Sequence, residues 1–178
     1  MILITGIGRS GTKYTALTLK KAGIKVGHEQ LFTDGTVCWK HAPFASEFDY
    51  VFHQVRNPID CISSMQTISP ESMRYMAKFV QIDMSKPWIH QCMEAWFNWN
   101  ILCEKHAKYT YRVEEIEKHW DNIFTKFRKG FMTMPFLPKD THTRKSKYTK
   151  LNLNDFKRVD EELTYKILGL AKKYGYDY

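Results

Sequence analysis

Cysteine is scarce in this sequence, and its spacing argues against two kinds of cross-link. The four cysteines, Cys38, Cys61, Cys92 and Cys103, are scattered through 178 residues without a Cys-x-x-Cys motif. Zinc sites and the disulfide frameworks of small secreted domains use closer and more regular spacing. We therefore expect reduced, partly buried thiols in a protein of a reducing compartment.

Long apolar runs are absent as well. No stretch approaches the ~20 apolar residues of a membrane-spanning helix, and residues 1–4 lead into Thr5 and Gly6 without the basic segment of a secretory signal. No repeat or low-complexity segment is present. Hydrophobic residues make up 43% and aromatic residues 15% of the chain, which excludes disorder and suffices for one core. The sequence predicts a single cytoplasmic domain over residues 1–178.

Positive charge is in excess, and it is concentrated in two places. The net charge is +8, and residues 1–30 and residues 139–150 each carry five bases and one acid. In the rest of the chain, bases and acids balance. Two short basic segments favour local anion sites over a diffusely basic surface of the kind that binds nucleic acid.

Apolar residues alternate between the period of strands and the period of helices. Strands are predicted over residues 2–5, 24–27, 36–39, 50–55 and 109–113, and helices over residues 12–22, 58–66, 87–106 and 114–127. A further helix follows Ser69, and one last helix extends from Phe156 to Tyr174. This alternation predicts a three-layer α/β/α fold around a mostly parallel sheet. Ligands of such folds bind beyond the carboxyl ends of the strands.

A glycine-rich turn follows the first strand and opens the first helix. Such a turn presents several backbone N–H groups to one point, as phosphate- and sulfate-binding loops do. Hydroxyl and cationic side chains add further donors. The candidate anion-binding residues are Gly8, Arg9, Ser10, Gly11, Thr12 and Lys13.

This turn differs from the phosphate loop of nucleotide hydrolases and kinases. In that loop, Lys and then Ser or Thr follow the second glycine directly, whereas Gly11 is followed by Thr12 and then Lys13. The strand over residues 50–55 also runs into Arg56 rather than into an acid that could hold Mg²⁺. We expect an anion site that works without a metal.

A second turn, after the strand over residues 50–55, joins a cation to a helix start. Arg56 ends the strand, Asn57 is a suitable N-cap, and Pro58 suits a first helical position. A cation beside a helix N-terminus is a second place where an anion can bind. Ser64 lies eight residues after Arg56, more than one turn into the helix.

Together, the two turns resemble the signatures of sulfotransferases that use 3'-phosphoadenosine 5'-phosphosulfate (PAPS). Arg9-Ser10-Gly11-Thr12 is similar to the 5'-phosphosulfate loop of that family, and Arg56-Asn57-Pro58 through Ser64 resembles its 3'-phosphate motif. Tyr14 lies where many members carry an aromatic residue against the adenine. The resemblance covers residues 1–65 well and the rest of the chain loosely.

The resemblance implies a P-loop-like sulfotransferase fold and a sulfuryl transfer from PAPS to a hydroxyl or amine. The acceptor would be a small molecule or a glycan, the second product would be 3'-phosphoadenosine 5'-phosphate, and no metal would be required. Arg9 would stabilise the leaving 5'-phosphate oxygen. Because a guanidinium is always charged and is a poor proton donor, this role is electrostatic.

Two residues are candidates for the base that takes the acceptor proton. Glu29 follows the second strand, where small bacterial members of the family carry a glutamate, and His41 resembles the His-x-Pro element of cytosolic members. Both types suit the task, because histidine titrates near neutrality and burial raises the pKa of a glutamate. The alternatives are an ion pair for Glu29 and a backbone-bonded loop histidine for His41. We rank Glu29 first, His41 second and His28 third.

Four other features carry less weight. In the basic loop before the last helix, Arg144 and Lys145 are candidates for contacting a donor phosphate. Arg128-Lys129-Gly130 matches a 3'-phosphate element of cytosolic members, although a solvated helix end is the simpler interpretation. Glu114 is interpreted as an acid at a helix N-terminus. An aromatic stripe is interpreted as core rather than as a sugar-binding surface: Trp88, Trp96, Phe97 and Trp99.

Two other classes of function stay open at the level of the sequence. One is a nucleoside or small-molecule kinase with a deviant phosphate loop, which lacks the expected metal-binding acid. The other is a non-enzymatic basic module that binds anions or nucleic acid, although no known nucleic-acid-binding motif is present.

Overall fold

The structure is a computed structural model that describes residues 1–128, 130–137 and 148–178. A parallel sheet of five strands lies at its centre, in the order β2-β3-β1-β4-β5. The strands are β1 (Ile2–Thr5), β2 (Val26–His28), β3 (Gly35–Val37), β4 (Tyr50–Val55) and β5 (Tyr109–Arg112). The predicted sheet is therefore confirmed, with every pair of neighbouring strands parallel.

Helices cover the sheet on both sides. They are α1 (Thr12–Lys21), α2 (Pro58–Met65), α3 (Pro70–Ala77), α4 (Trp88–Glu104), α5 (Ile116–Phe127), α6 (Leu153–Val159) and α7 (Glu161–Lys173). Two stretches of 3-10 helix, Trp39–Glu47 and Val113–Glu115, follow β3 and β5.

Two separate hydrophobic clusters define the layers. One cluster joins α1 and α5 to the sheet and includes Leu19, Phe52 and Trp120. The other joins α2, α3, α4, α6 and α7 and includes Trp96 and Trp99, which are fully buried. Because each cluster contains sheet residues, the fold has the three layers expected from the sequence.

Local signals place the ends of the helices. The Asn57 side chain accepts hydrogen bonds from the backbone N–H groups of Ile59 and Asp60, so it caps α2 as predicted. Gly23, with φ of 79°, ends α1 in a left-handed conformation that favours glycine. The Ile24 N–H then bonds to the Leu19 carbonyl at 3.0 Å, which completes a Schellman motif.

The last helix predicted from the sequence is two helices in the structure. Asp160 has extended backbone angles, φ −163° and ψ 108°, and it ends α6. Its carboxylate accepts the N–H of Leu163 at 2.8 Å and thereby caps α7. The apolar spacing continues through the break, so periodicity alone predicted one helix where a capping aspartate makes two.

The order of the strands reverses direction beside β1. From β1 the chain builds β2 and β3 on one side, and it then returns to build β4 and β5 on the other. The carboxyl ends of β1 and β4 flank this reversal, which is where open α/β sheets bind their ligands. Both turns singled out in the sequence begin at these two strand ends.

Two expectations about the whole chain can also be compared with the structure. The four cysteines are free and buried. Within the described residues, no helix is both long enough and apolar enough to cross a membrane.

Candidate functional site

The glycine-rich turn between β1 and α1 has an unusual backbone. Arg9 has φ of 75° and Gly11 has φ of 93°, and both values lie in the left-handed region. A side chain at Gly6 would place its Cβ 2.1 Å from the Gln54 carbonyl oxygen, so only glycine allows β1 and β4 to approach here. The turn ends where α1 begins at Thr12, so it lies at the positive end of the dipole of this helix.

The second turn closes directly on the first. The Arg9 Nε donates to the Ser64 Oγ at 2.8 Å, and the Arg56 Nη1 donates to the Arg9 carbonyl oxygen at 3.0 Å. The Cys61 Sγ lies 3.8 Å from the Gly8 carbonyl oxygen. Two segments that are distant in sequence thus share one set of contacts, with Arg9, Arg56 and Ser64 at its centre.

A buried network behind the turn holds it in place. The Gln54 Nε2 donates to the Ser10 carbonyl oxygen at 2.7 Å, and the Gln54 Oε1 accepts from the Tyr111 hydroxyl at 2.7 Å and from the Thr15 hydroxyl. Gln54 is fully buried. Sequence reasoning missed this residue, although a glutamine inside an otherwise apolar strand was the available signal.

Ser10 and Thr12 bring hydroxyl groups to the same turn. The Ser10 hydroxyl is buried and has no hydrogen-bond partner within the described residues. The Thr12 Oγ1 lies 3.3 Å from the His28 Nε2 at the end of β2. A Cβ at Gly6 would lie 2.9 Å from the Ser10 Oγ, so this hydroxyl packs against the backbone at Gly6.

The imidazole of His28 is in a cationic surrounding. Burial lowers its pKa first, and three positive charges lower it further, whereas the Glu29 carboxylate opposes them. The three cations are Lys13, Lys20 and Lys40. The pKa of His28 is therefore lower than that of a free histidine, and these surroundings favour the neutral imidazole.

Glu29 is held by two neighbours from the segment after β3. The Trp39 Nε1 donates to the Glu29 Oε1 at 3.0 Å, and the Lys40 Nζ lies 3.1 Å from the Glu29 Oε2. Burial alone would raise the pKa of Glu29, but the hydrogen bond and charge of Lys40, together with the Trp39 indole, lower it overall. Glu29 thus makes the ion pair that the sequence left open as an alternative, at a position with φ of 58°.

Trp39 connects Glu29 to the glycine-rich turn. A Cβ at Gly8 would lie 3.9 Å from the Trp39 Cδ2, so the indole rests against the turn while its Nε1 holds Glu29. Trp39 is 6% exposed and packs against Trp99 and Tyr75. The sequence placed Trp39 only at the end of a strand and gave no hint of this position.

His41 lies away from the turn. Its ring packs edge-on against Phe48, with 5.8 Å between ring centroids. Phe48 belongs to a small cluster with Leu3, Ala45 and Val51. Phe48 precedes β4 by two residues, which places it at the amino-terminal end of the sheet, whereas Glu29 is at the carboxyl end.

Two further predicted residues have structural partners. The Arg128 Nη2 bonds to the Asp34 Oδ2 at 2.6 Å, just before β3 begins. Glu114 accepts the Asn57 N–H at 2.8 Å and the Tyr176 hydroxyl at 2.8 Å, and so it ties the second turn to the C-terminal residues. Arg144, Lys145 and Lys129 lie outside the described residues.

The tryptophans of α4 are mainly core residues, as interpreted from the sequence. Trp96 and Trp99 have no exposed surface, and Trp88 and Phe97 are partly buried against the same cluster. None of these four side chains offers a fully exposed ring face for a sugar.

A cavity of about 720 Å³ lies between α5 and the segment after it. It is lined by Glu117, Trp120, Asp121, Phe131, Met132, Thr133, Met134 and Phe136. Tyr14 on α1 packs against the same hydrophobic cluster as Trp120 and Met134, which line the cavity. Burial first and the charge of Glu117 second raise the pKa of the Tyr14 hydroxyl. The cavity offers aromatic and methionine side chains to a planar group.

Backbone strain singles out the same residues. Among the described residues, Arg9 and Glu29 are the two non-glycine positions with positive φ. Such conformations cost of order 1–3 kcal/mol each and concentrate at functional sites. The leading candidates for leaving-group stabilisation and for the base are therefore the two strained positions.

Comparison with known proteins adds no assignment. No protein-family model matches the chain, and no match is found among curated proteins or solved structures. The geometry of the two turns is the basis for the function proposed next.

Proposed function

We propose that this protein is a PAPS-dependent sulfotransferase with a P-loop-like fold. It transfers a sulfuryl group from PAPS to an acceptor hydroxyl or amine. The observation that carries the proposal is the contact between the two turns, in which Arg9 bonds to Ser64 and Arg56 bonds to the Arg9 carbonyl oxygen. The resemblance of the turns to that family's 5'-phosphosulfate and 3'-phosphate motifs requires the two motifs to lie together, and they do.

The residues of the site fit a donor with two separate anionic groups. The glycine-rich turn and the start of α1 suit the 5'-phosphosulfate. Arg56, the capped start of α2 and Ser64 suit the 3'-phosphate. The cavity beside Tyr14 is large enough and aromatic enough for the adenine.

The charges also favour sulfuryl transfer over metal-dependent phosphoryl transfer. β4 ends in Val55 and is followed by Arg56, where a nucleotide kinase would carry an acid for Mg²⁺. Lys13 comes one position later than the lysine of the kinase loop, and its side chain is exposed. Both differences lower the expected ability of the turn to hold a Mg²⁺-bound triphosphate.

PAPS would supply the sulfuryl group, which forms a bond to the acceptor oxygen as its bond to the bridging 5'-phosphate oxygen breaks. Arg9 stabilises the negative charge that the leaving phosphate gains, since a guanidinium keeps its charge throughout. The glycine-rich turn and the start of α1 orient the donor.

Glu29 is the base in this proposal. It lies at the end of β2, and Trp39 positions it beside the glycine-rich turn. Its carboxylate takes the proton of the acceptor as the new bond forms. His41 is the weaker candidate, because its ring packs at the opposite end of the sheet.

Transfer from radiolabelled PAPS to a panel of hydroxyl compounds tests the proposal. Arg9→Ala should lower the rate by about 10²-fold or more, because it removes a transition-state charge contact. Arg74→Ala is the matched control, because Arg74 is an exposed arginine on α3 paired with Glu71. Phosphoryl transfer from ATP and Mg²⁺ without any use of PAPS would contradict the proposal.

A further inference from the structure

A group of lysines lies on the β2 side of the site, opposite the arginines that face the donor. Lys13 and Lys20 are seven residues apart on α1 and therefore lie on one face of that helix. α1 packs against β2, and Lys40 approaches the end of β2 from the segment after β3. All three lysines are exposed.

His28 ends β2, on the side of the site where these lysines lie. Its Nε2 is 3.3 Å from the Thr12 Oγ1, at the start of α1. Burial lowers the pKa of His28 most, and the ammonium groups of Lys13, Lys20 and Lys40 lower it further. Lys13 directly follows Thr12, and the Lys40 Nζ lies 3.1 Å from the carboxylate of Glu29, the residue after His28. The opposing negative charge comes from Glu29.

The negative charge of Glu29 is already engaged. Its two carboxylate oxygens contact the Trp39 Nε1 at 3.0 Å and the Lys40 Nζ at 3.1 Å. The donor anions have their own partners, since Arg9 and Arg56 meet on the β4 side of the turn. Three cations against one paired carboxylate leave an excess of positive charge beside the proposed base.

We infer that the acceptor binds on this lysine group and is itself an anion, with a carboxylate or sulfate close to the hydroxyl that reacts. This inference rests on the proposed function and adds the chemical class of the acceptor to it. Positive charge around the acceptor site steers negatively charged molecules to it and disfavours cationic ones.

The Glu29–Lys40 pair gives a second reason for an anionic acceptor. While Lys40 is paired with Glu29, the carboxylate is a weakened base. An acceptor carboxylate or sulfate can take over the ammonium of Lys40, and Glu29 then gains proton affinity at the moment when the acceptor is in place. A neutral acceptor has no group that can replace Glu29 as the partner of Lys40.

A matched pair of oligosaccharides tests the inference. The first probe is a hexasaccharide of alternating glucuronic acid and N-acetylglucosamine, and the second is the same hexasaccharide with every carboxylate reduced to a hydroxymethyl group. Their binding is measured calorimetrically to protein saturated with 3'-phosphoadenosine 5'-phosphate. We expect the acidic probe to bind at least about tenfold more tightly. Equal binding, tighter binding of the neutral probe, or no binding of either would overturn the inference.

Lysine variants separate this site from the general basicity of the protein. Lys20→Gln should weaken binding of the acidic probe about two- to fivefold, and Lys13→Gln with Lys20→Gln should weaken it further. Lys172→Gln, at an exposed position on α7, is the control and should leave it unchanged. An equal effect of Lys172→Gln would show non-specific attraction and would contradict the assigned site.

Failure of the inference can be told apart from failure of the proposed function. Lys20→Gln should leave the affinity for 3'-phosphoadenosine 5'-phosphate unchanged, because Arg9, Arg56 and Ser64 bind it. If this nucleotide binds but the acidic probe has no advantage, the acceptor class is wrong and the sulfotransferase proposal stands. If the nucleotide itself does not bind, the proposed function fails first.

Discussion

Arg9 and Glu29 adopt a backbone conformation that L-residues with a Cβ disfavour, and both carry charged side chains in the candidate site. A left-handed residue of this kind costs roughly 1–2 kcal/mol relative to glycine. Selection for stability alone would place glycine at both positions. We therefore attribute the charged side chains at these two positions to function rather than to stability.

The first prediction compares glycine with alanine at position 29. Glu29→Gly should be more stable than Glu29→Ala by about 1 kcal/mol, because glycine accepts φ of 58° without strain. Lys166, at an exposed position within α7, is the matched control: there Lys166→Gly should be less stable than Lys166→Ala by about 1 kcal/mol. Denaturant unfolding of the four variants measures both differences. The same sign at both positions would contradict the strain argument.

The second prediction concerns the proton affinity of Glu29. Lys40→Gln removes the cation that lowers the pKa of Glu29, and burial then raises that pKa. A base acts only when it is unprotonated, so the acidic limb of kcat/KM should move to higher pH in this variant. Lys40→Arg keeps the charge and should leave the limb near its wild-type position. A limb that does not move in Lys40→Gln would exclude Glu29 as the base.

For individual residues, the sequence predicted the site where the residues belong to a local motif. It did not predict residues that reach the site through contacts between segments distant in sequence. The spacing of the two motifs correctly grouped Arg9, Arg56 and Ser64. No local pattern pointed to Trp39. It contacts Glu29 because β3 ends beside β2, so that the Trp39 indole reaches the Glu29 carboxylate. His41 and Glu29 had similar support from sequence motifs. The structure distinguishes them because the 3-10 stretch Trp39–Glu47 carries His41 to Phe48.

The element that matters most to the site after the glycine-rich turn is α2. Its capped start and its buried Ser64 lie on either side of the place proposed for the 3'-phosphate. The α3 helix begins in the same way, with Ser69 as N-cap and a proline at its first position. Two helices with equivalent starts, one inside the site and one outside it, allow stability and binding to be separated.

The third prediction uses that pair of caps. Asn57→Ala and Ser69→Ala should each lower the free energy of unfolding by about 1 kcal/mol, because each removes a side-chain acceptor from a helix start. Only Asn57→Ala should also weaken binding of 3'-phosphoadenosine 5'-phosphate, since Asn57 follows Arg56 directly. Chemical unfolding and calorimetric binding provide the two readouts. Equal losses of binding in both variants would show that the effect is one of stability.

Elements whose limits depend on local chemistry were predicted well, as the strand Tyr50–Val55 and the start of α2 at Pro58 show. The break between α6 and α7 was not predicted, because hydrophobic periodicity is the same on both sides of Asp160. The break is set by Asp160, which caps α7 and whose Oδ2 also lies 3.1 Å from the His90 Nε2. Contacts of that kind follow from tertiary packing and leave no mark on local periodicity.

For the molecule as a whole, the net charge of +8 has a partial explanation. The excess of positive charge in the N-terminal segment includes Arg9, which lies in the turn proposed to bind the donor. It also includes Lys13 and Lys20, which lie on the face proposed for the acceptor. Arg56, which is central to the site, lies in the part of the chain where charges balance. The net charge alone therefore does not locate the proposed anion site, whereas the topology of the sheet brings its residues together.

The fourth prediction is a dependence of stability on pH that originates in the core. His53 is fully buried and bonds to Asn100, and burial lowers its pKa to about 4. The unfolded chain binds a proton on this histidine below about pH 6.5, whereas the folded protein does not, so stability is complete above that pH and falls as the pH decreases toward 4. Between about pH 7.5 and about pH 5, the loss from this group should be about 2 kcal/mol.

His53→Gln provides the control for this effect, because it keeps a donor for Asn100 and removes the titration. Denaturant unfolding at the two pH values should show a smaller loss of stability in the variant than in the wild type. If both proteins lose the same free energy of unfolding, His53 is not the source of the pH dependence.

The central claim is that one site holds both a 5'-phosphosulfate and a 3'-phosphate, and the most direct measurement compares two nucleotides that differ only in the 3'-phosphate. We predict that 3'-phosphoadenosine 5'-phosphate binds at least about tenfold more tightly than AMP, because charge-assisted hydrogen bonds contribute about 1.5–3 kcal/mol each. Arg56→Ala should remove most of that difference and leave the affinity for AMP nearly unchanged. Equal calorimetric affinities of the wild-type protein for the two nucleotides would contradict the account.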